Sequence, residues 1–391
     1  MRKLVILGFS LVLAVFLLGC NSSGSEKAST PPQENAKQEI SLPVNISNLG
    51  EPMTKDEIEY YLAKIEANLT LERTGYELSP DSLKRFRQFA EADDGKPFYM
   101  LNLIREHEEP QYPANWQGER AKTVQEAKML YSKACYPIMK EAGSYSMFGV
   151  TYAYPVVFNT GISMKDWDQF YLISYPNRKA FMELLASEAY ADAIVHKYAG
   201  DKDTLLIPVT AGELNVKDPF TAGEPMTQDE VEKYLAKYQE NLSEERTGRS
   251  LDPEEVNLIR KFAEEDDGKP FFMINLIQEY DEPKYPENWQ GEKAETVLDA
   301  KMLYSKACYP IMMNTGSYSL FGVTFTGPAV VNTGGDFEDW DQFYLISYPN
   351  RRAFMELLVN DAYANAIVHK YAGDKETVLI PVTAGEVVVP Q

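Results

Sequence analysis

From Glu51 onward the chain is written twice. Glu51-Pro52-Met53-Thr54 returns as Glu224-Pro225-Met226-Thr227, Asn102 as Asn275, Trp167 as Trp340 and His196 as His369. The shift is 173 residues at every one of these points, so no insertion separates the copies, and roughly two-thirds of aligned positions are identical. Solenoid repeats run ~20–50 residues, so a period this long makes each copy a whole domain. The expected boundaries are 51–213 and 224–391, with a polar, Pro- and Gly-containing joint at 214–223.

Within a copy the pattern is coarse but readable. Residues 54–69 and 80–92 have helical spacing, with Thr54 and Ser79 as caps. Asp93-Asp94-Gly95-Lys96 reads as a turn and 97–104 as a strand. A polar, aromatic loop leads into a helix over 122–140. Residues 144–158 and 168–175 read as strands. One helix is expected from the Asn177 cap to Gly200, and a last strand over 204–209. After two leading helices the order is β-α-β-β-α-β, the split ferredoxin-like arrangement. Proline gives an independent check, because it lacks the ladder donor and belongs on sheet edges. Pro155 and Pro208, with Pro328 and Pro381 in the second copy, fall on the strands that this topology places outermost.

"KPFYMLNLI", "DWDQFYLISYPNRKAFMELL" and "HKYAGDKDTLLIP" resemble an uncharacterised family of the dimeric α/β-barrel superfamily, which includes antibiotic-biosynthesis and haem-degrading monooxygenases. The resemblance covers about residues 95–210 and 268–383. It implies an α+β fold in which two ferredoxin-like modules pack sheet against sheet. A four-stranded sheet with helices on one face leaves its other face apolar and in need of cover. Both faces of the first strand are apolar, Phe98-Met100-Asn102-Ile104 and Tyr99-Leu101-Leu103. The expectation is therefore a pseudo-dimer folded from one chain, each module carrying extra N-terminal helices and needing no second chain.

The N-terminus is expected to be a signal segment. Met1-Arg2-Lys3 is basic, and Leu4–Leu18 is almost unbroken apolar sequence of about 15 residues, short for a bilayer span. Leu17-Leu18-Gly19-Cys20 resembles the bacterial lipobox, which implies removal of residues 1–19 and lipidation of Cys20. Several acyl chains, palmitate among them, would hold the chain firmly, at ~0.8 kcal/mol per buried CH₂. Residues 20–50 are polar and read as a tether. The position after Cys20 is Asn21 rather than Asp, which favours the outer membrane in a Gram-negative cell. Net charge is −21. Such a surface repels phosphate backbones and argues against nucleic acid. Cell-envelope placement, with the membrane as partner through the lipid, is the expectation.

Asn102 and Asn275 interrupt apolar strands, and a buried amide needs partners or costs ~1–3 kcal/mol. Each is a candidate ligand-binding group in the barrel lumen, or a purely structural amide. Asp168 and Asp341 open the third strand beside Trp167 and Trp340, as base, ligand anchor or turn cap. His196 and His369 lie in the last turn of a helix. Trp116 and Trp289, in "YPANWQGE" and "YPENWQGE", together with Tyr145 and Tyr318, are lid or pocket candidates. The superfamily resemblance implies one further arrangement, a haem site formed by Asn102, Trp167 and His196. The spacing between Trp and His is long for it, and the expectation is no cofactor. No metal-ligand cluster, phosphate-cradling glycine run or Ser-centred elbow is present. Cys135 and Cys308 read as small buried residues. Three functions follow: a binder of a small apolar or aromatic ligand, a cofactor-independent monooxygenase or isomerase, or a structural envelope lipoprotein. An open lumen meeting Asn102, Asp168 and His196 favours the first two; a lumen filled by side chains favours the third.

Overall fold

A computed structural model describes residues 50–151, 158–159, 167–211, 215, 217, 220–325, 329–332 and 340–383. The signal segment, Cys20, the tether through residue 49, Pro155 and Pro328 lie outside the described residues.

Local sequence sets the helix starts. Helix α1 (Lys55–Asn68) begins with a capping box in which the Thr54 side chain accepts from the Glu57 amide and Glu57 answers at Thr54. A single turn, α2 (Leu71–Thr74), follows, and then α3 (Pro80–Glu91), with Ser79 as cap and proline at its first position. Gly95 turns the chain into the sheet at φ +72°, and a Cβ there would lie 1.9 Å from the Gly50 carbonyl oxygen, so only glycine fits. Strand β1 is Phe98–Glu106, α4 is Val124–Glu141 with Thr123 as cap, and β2 is Tyr145–Thr151. The two-residue β3 (Phe158–Asn159), β4 (Gln169–Tyr175), α5 (Arg178–Ala186), α6 (Glu188–Gly200) and β5 (Asp201–Thr210) complete the first repeat. The second repeat supplies α7 (Gln228–Asn241), α8 (Glu244–Thr247), α9 (Pro253–Glu264), β6 (Phe271–Glu279) and α10 (Val297–Asn314). It continues with β7 (Tyr318–Thr324), β8 (Val331–Asn332), β9 (Gln342–Tyr348), α11 (Arg351–Leu358), α12 (Asp361–Gly373) and β10 (Asp374–Thr383).

Two sequence expectations need correction. The helix expected from Asn177 to Gly200 is two helices. Ser187 between them is extended, at ψ 146°, and its hydroxyl accepts from the Tyr190 amide, so a new helix is capped where the periodicity reads as continuous. Of the strand expected over 144–158, β2 covers Tyr145–Thr151, and Phe158–Asn159 pairs not beside it but in the sheet of the other repeat.

The strand orders are β2-β4-β1-β5-β8 and β3-β10-β6-β9-β7, antiparallel throughout. The first four strands of the first sheet, and their counterparts in the second, have the ferredoxin-like order; the fifth comes from the other repeat. β8 pairs with Leu205 and Leu206 of β5, and β3 with Val378 and Leu379 of β10. Pro208 and Pro381 stand opposite Met100 and Met273, each on the outermost strand of its own module and beyond the two residues that receive the exchanged strand.

The sheets cover one another. Tyr99, Leu101 and Leu103 of β1 share one buried cluster with Phe272, Ile274 and Leu276 of β6. At its centre the rings of Phe170 and Phe343 stack with centroids 5.4 Å apart. The opposite sheet faces pack on helices, Phe98 and Met100 with Phe181 and Ile194 in one repeat, Phe271 and Met273 with Phe354 and Ile367 in the other. Cys135 and Cys308 are buried free thiols on the helix side, and burial pushes both up to about 12. The fold is α+β, two ferredoxin-like modules fused into a pseudo-dimer.

Candidate functional site

The interior between the sheets holds side chains. Phe148, Phe170, Phe321 and Phe343 meet there, with valines and isoleucines of β5 and β10 behind them. Trp167 and Trp340 belong to this packed layer, 6 % and 5 % exposed. Tyr318 joins it as well, and Tyr145 packs on its rim.

Asn102 faces the other way. On β1 it alternates with Leu101 and Leu103, which point into the interior, and it pairs with Tyr171 of β4. It therefore lies on the helix side of the sheet and not in the lumen, and Asn275 does the same. Asn275 donates to the Met273 carbonyl of its own strand at 3.1 Å. The Asn102 carbonyl oxygen is buried and has no hydrogen-bond partner among the described residues.

Asp168 and Asp341 close strand ends. Each carboxylate accepts one backbone amide, of Glu106 and of Glu279, at 2.7 Å. Burial pushes the Asp341 carboxyl up.

His196 and His369 each receive a tyrosine from the aromatic loop. Tyr112 hydroxyl and His196 Nδ1 are 2.8 Å apart, as are Tyr285 and His369. The Ala121 amide donates to the Tyr112 oxygen at 3.1 Å, which ties the phenol to the loop backbone as well as to the ring. Burial lowers the imidazole pKa in both repeats. Trp116 lays an edge against the His196 ring at 6.2 Å and donates to the Glu119 carbonyl at 3.0 Å; Trp289 repeats this at His369 and Glu292. Backbone bonds from His107 to Gly200 and from Gln111 to Ala199 fix the loop to the end of α6. The loop is a packed cover over the histidine.

Asn102, Asp168 and His196 thus occupy three separate environments. The haem arrangement does not fit either: Asn102 lies on the helix side of the sheet, Trp167 in the packed layer on its other side, and His196 under the aromatic loop. Among the described residues no group of three His, Cys, Asp or Glu side chains is placed to hold a metal ion.

A different cluster does converge. Lys128 of α4 meets the Glu106 carboxylate at the end of β1, Gln169 Oε1 at 2.5 Å and Asp201 Oδ1 at 3.8 Å. Lys197 of α6 pairs with Asp201 and donates to Thr204 at 3.1 Å, and Thr204 donates to Asp201 at 3.2 Å. Tyr171 donates to Gln169 at 2.7 Å. Two ammonium groups and two carboxylates balance, which is the condition for keeping such charges between sheet and helix. The second repeat carries the same residues, with Lys301 against Glu279, and Lys370, Asp374 and Thr377 joined to one another. Sequence reasoning missed it because its members are spread from 106 to 204; the one available signal was that all of them recur 173 residues later.

A crevice in the first repeat leads to this network, bounded by Tyr76, Ser82, Tyr190, Lys197, Thr204 and Asn332, with room for about one water. In the second repeat Arg249 and Glu255 stand where Tyr76 and Ser82 stand in the first, and they pair at 2.7 Å with Tyr238 bonded to Glu255 at 3.0 Å. That crevice is filled by its own side chains.

No family model matches the chain. No curated protein matches it. Among solved structures, RPA0582, a protein of unknown function from Rhodopseudomonas palustris, is 25 % identical over 34 % of this chain and 94 % of that one, with a TM-score of 0.29. A mutant chlorite dismutase from Candidatus Nitrospira defluvii is 9 % identical over 74 % of this chain and 91 % of that one, with a TM-score of 0.34. Scores this low decide nothing about activity, and the architecture rests on the strand order given above.

Proposed function

We propose that this chain is a lipid-anchored cell-envelope protein that works as a rigid body, displayed outside the cytoplasm, and not as a ligand-binding barrel. The observation that carries this is the interior: residues of both repeats fill the space between the sheets, and Leu101, Phe170, Ile274 and Phe343 are each fully buried at 0 % exposure. Ligand sites are concave cavities of roughly 300–1,000 Å³, and an open depression of about 390 Å³ at Ile311, Asn314 and Val359 lies among the helices and not between the sheets. Asp168, Asp341 and Asn275 are bonded to backbone, His196 and His369 to loop tyrosines, and Asn102 and Asn275 face the helices and not the layer between the sheets. The lipobox-like Leu17-Leu18-Gly19-Cys20 supports the anchor.

Two measurements test the reading. Naphthalene titrated into the full chain is expected to give no saturable binding; uptake of one probe per chain or per repeat would overturn the filled-interior reading. Cys20→Ala is expected to move the chain out of the membrane fraction; retention there would remove the anchor.

A further inference from the structure

Helix α10 carries an apolar stripe that nothing among the described residues covers. Leu298, Met302, Tyr309 and Met313 are 66 %, 59 %, 57 % and 43 % exposed. At ~100° per residue these four fall within about 60° of arc on an 18-residue helix. Scattered exposed apolar residues are ordinary, but an aligned run on one helix face is a contact surface.

The matching helix of the first repeat, α4, has Gln125, Met129, Tyr136 and Lys140 at these four positions. The two central residues are kept and the two ends are polar. One chain therefore presents one full stripe.

The spacing says what fits against it. The gaps between Leu298, Met302, Tyr309 and Met313 are four, seven and four residues, a palindrome centred between Ser305 and Lys306. A second α10 laid antiparallel about that centre sets Leu298 on Met313 and Met302 on Tyr309, at both ends alike. That is an isologous two-fold contact, with the thioether of one copy on the aromatic ring of the other. A parallel arrangement loses these pairings. One stripe per chain closes the assembly at two copies.

We propose that α10 is the dimer contact of this protein, made with a second copy of the same chain. The fused modules already cover their own sheets, so this contact lies on a surface the pseudo-dimer leaves free. A single helix pair buries less than the ~1,200 Å² of stable complexes, so the dimer is a weak one. A net charge of −21 on each copy opposes it, and Lys306 meets its own counterpart near the two-fold. Added salt screens both repulsions and tightens the dimer.

The test uses the full chain in detergent, followed by sedimentation equilibrium and by disulfide crosslinking. Wild type is expected to dimerise reversibly, more tightly as salt rises. Leu298→Gln with Met313→Lys installs the residues that the first repeat already carries, so folding is kept, and dimerisation is expected to weaken at least tenfold. The reciprocal Gln125→Leu with Lys140→Met gives each chain two stripes and is expected to produce assemblies larger than a dimer. Ser305→Cys, at the centre, is expected to crosslink to itself, and Leu298→Cys to crosslink only when Met313→Cys is also present. A wild-type chain that stays monomeric, a dimer unchanged in the Leu298→Gln, Met313→Lys chain, a dimer that weakens with salt, or self-crosslinking by Leu298→Cys alone would each overturn the proposal.

Discussion

His196 and His369 are held neutral, and this gives the molecule an acid-sensitive residue in each repeat. Their folded pKa lies below the ordinary imidazole value of 6.5, because burial disfavours the charged ring. The folded state binds fewer protons than the unfolded one, so this stability is complete above about pH 6.5 and is lost as pH falls below it. Urea denaturation at about pH 7.5 and about pH 5 should show the loss in wild type and a smaller one in the His196→Gln, His369→Gln chain. Asp201 makes the second residue-scale prediction. Its carboxylate is 3 % exposed and faces both Lys197 and Lys128. Asp201→Asn leaves buried lysine charge uncompensated and should cost ~3–5 kcal/mol, read from the urea midpoint. Little of this was legible in sequence. His196 was visible as a rare residue, but its partner Tyr112 lies 84 positions away in a loop. Asn102 and Asp168 were visible too. Whether a strand residue faces lumen or helix depends on register against the rest of the sheet, and a strand with two apolar faces does not declare it.

At the scale of elements, the short exchanged strands were the least readable. β8 has two residues and no periodicity, yet Val330 beside it is 1 % exposed and packs into the helix-side core of the first repeat. Its amide donates to the Leu206 carbonyl at 2.8 Å, and Arg85 reaches the neighbouring Ala329 carbonyl at 2.9 Å. Val330→Ala removes two buried methyl groups and should cost about 2 kcal/mol. Hydrogen exchange should then show amides of the first repeat, around Leu206, opening more often, although the substitution lies in the second. By contrast, capped helices such as Thr54–Asn68 and Pro80–Glu91 could be placed from sequence to within a residue or two, because their caps are local chemistry. The break at Ser187 was missed since apolar spacing runs through it on both sides.

For the whole molecule, the duplication was the strongest signal and it led to the right architecture. A repeat of 173 residues with two apolar strand faces needs a partner, and the sister repeat supplies it. Residues 51–213 produced alone should therefore not persist as folded monomers. Light scattering should find dimers or larger species, and a folded, soluble monomer would show that the interior layer is dispensable. The full chain should unfold in one transition by both fluorescence and circular dichroism, since neither half buries its sheet without the other.

The reciprocal exchange of β3 and β8 has a mechanical consequence. Each half grips the margin of its sister through strand pairing as well as through the polypeptide joint, like two hooks engaged in opposite senses. A pull delivered through the amino terminus cannot peel the first half away by paying out the joint. It must shear hydrogen bonds at Leu205–Leu206 and at Val378–Leu379 together, so the pair bears load as one piece.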